Sequence, residues 1–113
     1  MPFNRTIAIV GAGAWGTALA IHAARLGLTA RLWARRPELA AALKPGLENS
    51  AFLPGFPLPP GVTATSDPQE AVAGVNLILW VIPSHGFREV VRRFRPYFGP
   101  DCIMISAAKG VED

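Results

Sequence analysis

The stretch TIAIVGAGAWGTALAIHAARLG, residues 6–27, decides how this chain is read. Its first five residues, Thr6 to Val10, are apolar or β-branched and stop at Gly11. A short run of that kind, bounded by glycine, predicts a buried strand. Ala14 to Leu26 is rich in helix formers and Gly27 follows as a stop, so a helix is expected there. Between them Gly11, Gly13 and Gly16 form G-x-G-x-x-G. A strand that turns directly into a helix gives each glycine its own task. Gly11 permits the tight turn, Gly13 leaves room for a pyrophosphate against the backbone, and Gly16 lets the helix pack on the strand. The helix N-terminus adds free N–H groups and a positive dipole end. The turn therefore reads as a dinucleotide phosphate site, against the plainer reading of a tight turn with no ligand.

Outward from this stretch, strand and helix alternate. Thr29 to Ala34 reads as a second strand, and Pro37 starts a short helix through about Leu43. The strand, glycine turn, helix and strand make a βαβ unit. Val62 to Thr65 is a third strand. Asp67, Pro68 and Glu70 then supply an N-cap, a first-turn proline and a capping-box carboxylate for a brief helix ending near Gly74. Asn76 to Pro83 is almost wholly apolar, as in a central parallel strand covered on both faces. Phe87, Val90, Val91 and Phe94 recur with helical spacing, while Arg88, Glu89, Arg92 and Arg93 fill the other face. Cys102 to Ala107 is a fifth strand. The pattern predicts an α/β fold: a Rossmann-type, doubly wound parallel sheet of five or six strands, helices on both faces, and the site at the strand carboxyl ends. Lys44 to Gly61 breaks the alternation. Its many prolines predict a long irregular loop, with Phe52 and Leu53 as buried anchors.

Composition narrows the function classes. The 113 residues suit one domain; half are hydrophobic and 17% charged, which excludes a disordered tail. The net charge of +3, with Lys and Arg dispersed, suits a small anionic ligand better than nucleic acid. The single cysteine, Cys102, excludes an internal disulfide framework and fits a reducing compartment. No apolar run reaches the roughly 18 residues of a membrane span. The run after Arg5 breaks too early, at Gly11, for a signal peptide.

The end of the second strand bears on which dinucleotide is held. An NAD site usually places an acid about 20 residues after the glycines, for the ribose 2′-hydroxyl. Here RLWARRPE puts Arg35 or Arg36 at that place, and Glu38 follows where it favours the next helix N-terminus. Guanidinium groups match a 2′-phosphate in charge and shape, so NADP is expected over NAD, with NAD still possible. Solvated arginines at a loop are the plainer alternative. Trp15, inside the motif, reads either as a cover over the cofactor or as an anchor against a neighbouring loop.

GAGAWGTALA, LWARRPE, NSAFLPGFPLP, VIPSHGFREV and SAAKGVE occur in order across the chain. In these the sequence resembles the cofactor-binding, N-terminal part of bacterial-type NAD(P)-dependent glycerol-3-phosphate dehydrogenase. The resemblance implies reduction of dihydroxyacetone phosphate to glycerol 3-phosphate for phospholipid synthesis, in a cytoplasmic homodimer. It implies cofactor contacts from Gly11, Gly13, Gly16 and the backbone of Ala14 and Trp15, with Arg35 and Arg36 at the adenosine end. Ala14 is often serine in that family, so no hydroxyl contact is expected. Lys109 matches a lysine that reaches both cofactor and substrate. The family's catalytic lysine base lies in a second, helical domain. Residues 1–113 are thus expected to be a dinucleotide-binding domain alone, a piece of a longer enzyme with no catalytic residue assigned within it.

Other residues carry weaker signals. Without the resemblance, Lys109 could be a surface lysine or an ammonium at a strand carboxyl end that attracts a phosphorylated ketone. Ser84 and His85 read as a helix N-cap beside an exposed imidazole, more than as a pocket wall with a proton donor. His22 falls mid-helix and reads as structural. Cys102 is expected to be an inert thiol in a buried strand. No cluster of Asp or Glu suggests a metal. Two other functions stay open: another Rossmann-type hydroxyacid dehydrogenase, and a non-catalytic dinucleotide-sensing module.

Overall fold

The computed structural model describes residues 5–44, 46–50 and 53–107. The chain runs β1 (Thr6–Val10), α1 (Ala14–Arg25), β2 (Thr29–Trp33) and α2 (Pro37–Ala42). It continues through β3 (Glu48–Asn49), β4 (Leu53–Pro57), β5 (Val62–Thr65) and α3 (Pro68–Val72). β6 (Leu77–Trp80), α4 (Ser84–Phe94), a 3₁₀ turn (Arg95–Tyr97) and β7 (Ile103–Ser106) complete it. Five strands form one sheet in the order β5-β2-β1-β6-β7, every pair parallel. The order reverses at β1, whose neighbours are β2 on one side and β6 on the other.

Strand alternation divides the core in two. Ile7 and Ile9 of β1 face a cluster with Ala20, Ile21 and Ala23 of α1 and Leu32 of β2. Ala8 and Val10 face the opposite cluster, with Val72 of α3 and Val90 and Phe94 of α4. This is the two-residue period of a strand covered on both sides. The second cluster is aromatic. Phe94 meets Trp33 at 5.1 Å and Trp80 at 5.5 Å, both edge to face, and Trp80 also meets Phe87 and Phe98. Edge-to-face contact sets ring hydrogens against the electron-rich faces, so each pair contributes beyond simple area burial. The helix spacing from Phe87 to Phe94 is the source of this cluster.

Local signals account for most element ends. Gly27 and Gly74 follow helices with φ of +91° and +73°, a backbone that suits glycine. The Asp67 carboxylate accepts the Gln69 N–H at 3.0 Å and caps α3. The Glu70 carboxylate does not complete the expected capping box: it accepts the Thr65 hydroxyl instead, and that same hydroxyl accepts the Asp67 N–H. Arg31 donates from β2 to the carbonyls of Glu70 and Ala73, closing the other end of α3.

Three expectations are corrected. The segment 44–61 is not wholly irregular, because β3 and β4 form an antiparallel ribbon with a register shift after Glu48. A two-stranded ribbon has free edges, so Pro54 and Pro57 cost no ladder bond. Gly55, at φ +89°, sends its N–H to the Glu48 carboxylate at 2.9 Å. The fully buried anchor is Leu58; Leu53 is half-buried, and Phe52 lies outside the described residues. Second, Asn76–Pro83 shortens to Leu77–Trp80, with Ile78 and Trp80 buried and Leu77 and Leu79 half-buried. Third, the fifth strand begins after Cys102, and β7 is exposed throughout, with Ile103 at 61% and Ile105 at 47%. Its position as the sheet edge leaves one long side without a strand neighbour among the described residues. Cys102 is accordingly half-buried, not a core strand residue; that burial still pushes its thiol up from the ordinary value.

Buried and exposed apolar residues should respond differently to truncation. Phe94→Ala removes the ring shared by Trp33 and Trp80 and should cost about 3–5 kcal/mol in urea unfolding, a large fraction of a typical domain's stability. Ile105→Thr keeps a β-branched residue at an exposed site and should stay within about 0.5 kcal/mol. Equal losses at the two positions would contradict the described core.

Candidate functional site

The site lies where β1 and β6 end side by side. The Gly11 N–H donates to the Trp33 carbonyl at 3.0 Å, and the Val81 N–H to the Val10 carbonyl at 2.8 Å, so the ladders run on into the following turns. α1 leaves β1 toward one face and α4 follows β6 on the other. A crevice opens between the two turns, as expected where strand order reverses.

The three glycines have different surroundings. Gly11 has φ +127°, and a Cβ there would stand 2.2 Å from the Val81 carbonyl oxygen. A Cβ on Gly16 would stand 1.8 Å from the Gly11 carbonyl oxygen. Both positions are closed by the protein itself. A Cβ on Gly13 would meet nothing within 4 Å. Gly13 is the N-cap of α1, with extended backbone and no side-chain cap. The Thr17 N–H makes a helical bond to the Gly13 carbonyl at 2.9 Å. The N–H groups of Ala14, Trp15 and Gly16 come before it, in the part of a helix that lacks internal acceptors.

Two adjoining cavities share Gly13, Val81, Ile82 and Pro83. The larger, about 510 Å³, reaches Gly11, Arg35, Arg36 and His85. The smaller, about 330 Å³, reaches Ala14, Trp15 and Gly16. The fold thus brings the glycine turn and both arginines to one cleft. Arg36 is also the N-cap residue of α2, and Glu38 sits in that helix's first turn, as its place in the sequence predicted. Trp15 is half exposed, and its indole N–H donates to the Ala107 carbonyl at 2.8 Å, just beyond β7. It therefore anchors the neighbouring loop while lining the smaller cavity. Lys109 lies outside the described residues.

Other expected residues are placed as follows. His85 is exposed on the cleft wall. Ser84 is not the N-cap of α4; it is the first helical residue, and the N-cap is Pro83, which has no side-chain acceptor to offer. His22 is exposed in the last turn of α1. Among the described residues, no group of three or more His, Cys, Asp or Glu side chains could hold a metal ion, and no helix is long and apolar enough to cross a membrane.

Sequence reading missed part of the cleft wall. Trp33, Leu39, Ile82, Pro83 and Glu89 all line it. Trp33 and Ile82 end or follow strands, so the carboxyl-end rule carried a signal for them. Glu89 had none: its helical spacing assigns it to the solvent face, and only the docking of α4 turns it toward the cleft.

Comparison with known proteins agrees with this fold. The family described as NAD-dependent glycerol-3-phosphate dehydrogenase N-terminus matches residues 6–113. An NAD(P)+ glycerol-3-phosphate dehydrogenase of Deinococcus radiodurans is 54% identical over 91 residues, which is 80% of this chain and 28% of that protein. One from Moorella thermoacetica is 43% identical over 109 residues, covering 96% of this chain and 32% of its own length. The chain spans about a third of the length of the curated relatives it matches. The crystal structure of glycerol-3-phosphate dehydrogenase from Coxiella burnetii superposes with a TM-score of 0.89 at 37% identity, over 97% of this chain and 34% of that one. A ketopantoate reductase family structure from Ralstonia eutropha superposes less well, with a TM-score of 0.70 at 28% identity, over 93% and 34%.

The glycine surroundings predict an order of tolerance. Gly11→Ala and Gly16→Ala each force a backbone shift and should cost about 3 kcal/mol or more in urea unfolding. Gly13→Ala should leave stability within about 1 kcal/mol, since its Cβ enters open space. A Gly13→Ala protein as unstable as Gly16→Ala would mean that the turn closes on itself.

Proposed function

We propose a function from one premise: this chain belongs to the NAD-dependent glycerol-3-phosphate dehydrogenase N-terminus family. Residues 1–113 are the dinucleotide-binding domain of a cytoplasmic, homodimeric oxidoreductase that reduces dihydroxyacetone phosphate to glycerol 3-phosphate for phospholipid synthesis. A helical domain outside these residues completes the substrate site. The names of the relatives support the reaction, and the cleft supports the division of labour.

One observation carries this reading. Two of the three motif glycines are closed by the protein, while the third faces an open cleft. No packing demand explains Gly13, and a ligand backed against the main chain does. Gly13, Ala14, Trp15 and Gly16 hold the pyrophosphate with main-chain N–H groups at the positive end of α1. Gly11 shapes the turn beneath them. Arg35 and Arg36, on the same cleft, take the adenosine end. Their guanidinium groups favour the 2′-phosphate of NADP over the 2′-hydroxyl of NAD. Lys109, carried over from the resemblance, attracts the substrate phosphate and meets the cofactor. A reduced nicotinamide, when bound, supplies the hydride. The chain's own part is to orient the two ligands, which converts an encounter into a positioned step.

Calorimetry at low salt should find NADPH binding about tenfold tighter than NADH, because a charge-assisted contact is gained. Added salt should shrink that preference, and Arg35→Ala should remove most of it. Equal affinities at low salt would reject the assignment of NADP.

Hydride transfer also needs a proton source and exclusion of water. The 113 residues alone should therefore bind cofactor weakly and not reduce dihydroxyacetone phosphate at a useful rate. In a full-length enzyme bearing this domain, Lys109→Ala should lower kcat and raise the substrate KM together. Steady-state assays decide it: robust turnover by the 113 residues, or unchanged kinetics of the variant, would place the chemistry elsewhere.

A further inference from the structure

Behind the glycine turn lies a buried polar triangle. Asn49, in β3, is 1% exposed, and Thr17, in α1, is fully buried. The Asn49 Nδ2 donates to the Ala12 carbonyl at 2.9 Å and to the Thr17 Oγ1 at 2.8 Å. The Thr17 hydroxyl in turn donates toward the same Ala12 carbonyl, at 3.4 Å. A carbonyl can only accept, so the amide nitrogen of Asn49 must be the atom that faces it. The cost of this orientation is visible: Asn49 Oδ1 is buried with no hydrogen-bond partner among the described residues. An apolar side chain here would leave no orphaned oxygen at position 49, but the Ala12 carbonyl would keep only the 3.4 Å contact from Thr17.

The held carbonyl belongs to the peptide that joins Ala12 to Gly13. A trans peptide is planar, and its C=O and N–H point in opposite directions. Fixing the Ala12 carbonyl toward Asn49 and Thr17 therefore fixes the Gly13 N–H toward the other side. Gly13 lines both cavities of the cleft, whereas Asn49 and Thr17 line neither. We infer that Asn49, with Thr17, is a positioning residue of the phosphate-binding turn, which aims the Gly13 N–H at the pyrophosphate from behind. The inference rests on the proposed cofactor site. It also gives the proline-rich segment a task, since β3 brings the amide to a turn 37 residues earlier in the chain. Only asparagine is short enough and carries two donors in one plane. Aspartate has no donor, and serine has one.

The test uses the ¹⁵N-labelled chain titrated with inorganic pyrophosphate, read at the Gly13 amide signal by NMR. In the parent chain that signal should move and saturate. Asn49→Ala and Thr17→Val should each weaken the fitted affinity, Asn49→Ala by about tenfold, while Thr17→Ser, which keeps the hydroxyl, should stay within about twofold. Thr17→Val nearly preserves volume, so it decides the matter if Asn49→Ala does not fold. A purely structural role predicts lower melting temperatures with an unchanged pyrophosphate affinity; that result overturns the inference and leaves the cofactor reading standing. Equal losses in Thr17→Ser and Thr17→Val overturn it as well, because packing would then be the cause. A parent chain whose Gly13 signal ignores pyrophosphate overturns both the cofactor reading and the inference built on it.

Discussion

The contact between Gly16 and the Gly11 carbonyl is the constraint on which the rest of the site depends. With no side chain between them, the first turn of α1 sits directly on the end of β1. Gly11 turns the chain at a positive φ that other residues rarely adopt, and its own missing Cβ makes way for the Val81 carbonyl. The glycines thus lock two neighbours at once: the helix that follows β1, and the turn that follows β6. The cleft is the gap this locking leaves open, and of the three glycines that line it Gly13 is the one with open space where a Cβ would stand.

The two halves of the core hold that arrangement from either side. One cluster seats α1 against β1 and β2 with small residues, Ala20, Ala23 and Ala30, which permit close approach. The other is built from large rings that meet edge to face around Phe94 and Trp80. Trp33 belongs to both purposes. It is buried against Phe94, the Arg93 guanidinium lies 5.3 Å from its ring centroid, its indole N–H donates to the Ser66 carbonyl at 2.9 Å, and it lines the cleft. A single residue therefore couples core packing to the wall of the site.

Long-range polar ties finish the site. The Trp15 indole reaches across to the Ala107 carbonyl at the end of β7, and Asn49 reaches back from β3 to Ala12. Each replaces main-chain hydration with a specific direction, which is what a site built from backbone groups requires. β7 itself stands apart. It pairs with β6 through the register Leu77↔Ile103 to Trp80↔Ser106, yet its side chains remain exposed among the described residues.

The sequence by itself determined the elements whose signals are local. Strand β1, the glycine turn, α1 and β2 follow from a short apolar run, three glycines at fixed spacing and a helix-forming tract. The same is true of the amphipathic face of α4 and of the cap at Asp67. The candidate cleft was legible to the same extent, because Gly11, Gly13, Gly16, Arg35 and Arg36 all sit at strand carboxyl ends, where a parallel α/β sheet puts its ligands. Proline content hid the β3–β4 ribbon, since proline forbids a central strand but not an edge. Burial of β7 and Cys102 was misjudged for a related reason: apolar sequence records what a strand can cover, not whether a neighbour covers it. The tertiary structure alone decided the partners of Asn49, Thr17, Trp15 and Glu70. A hydrogen bond depends on direction and distance between groups far apart in the chain, and composition and spacing encode neither.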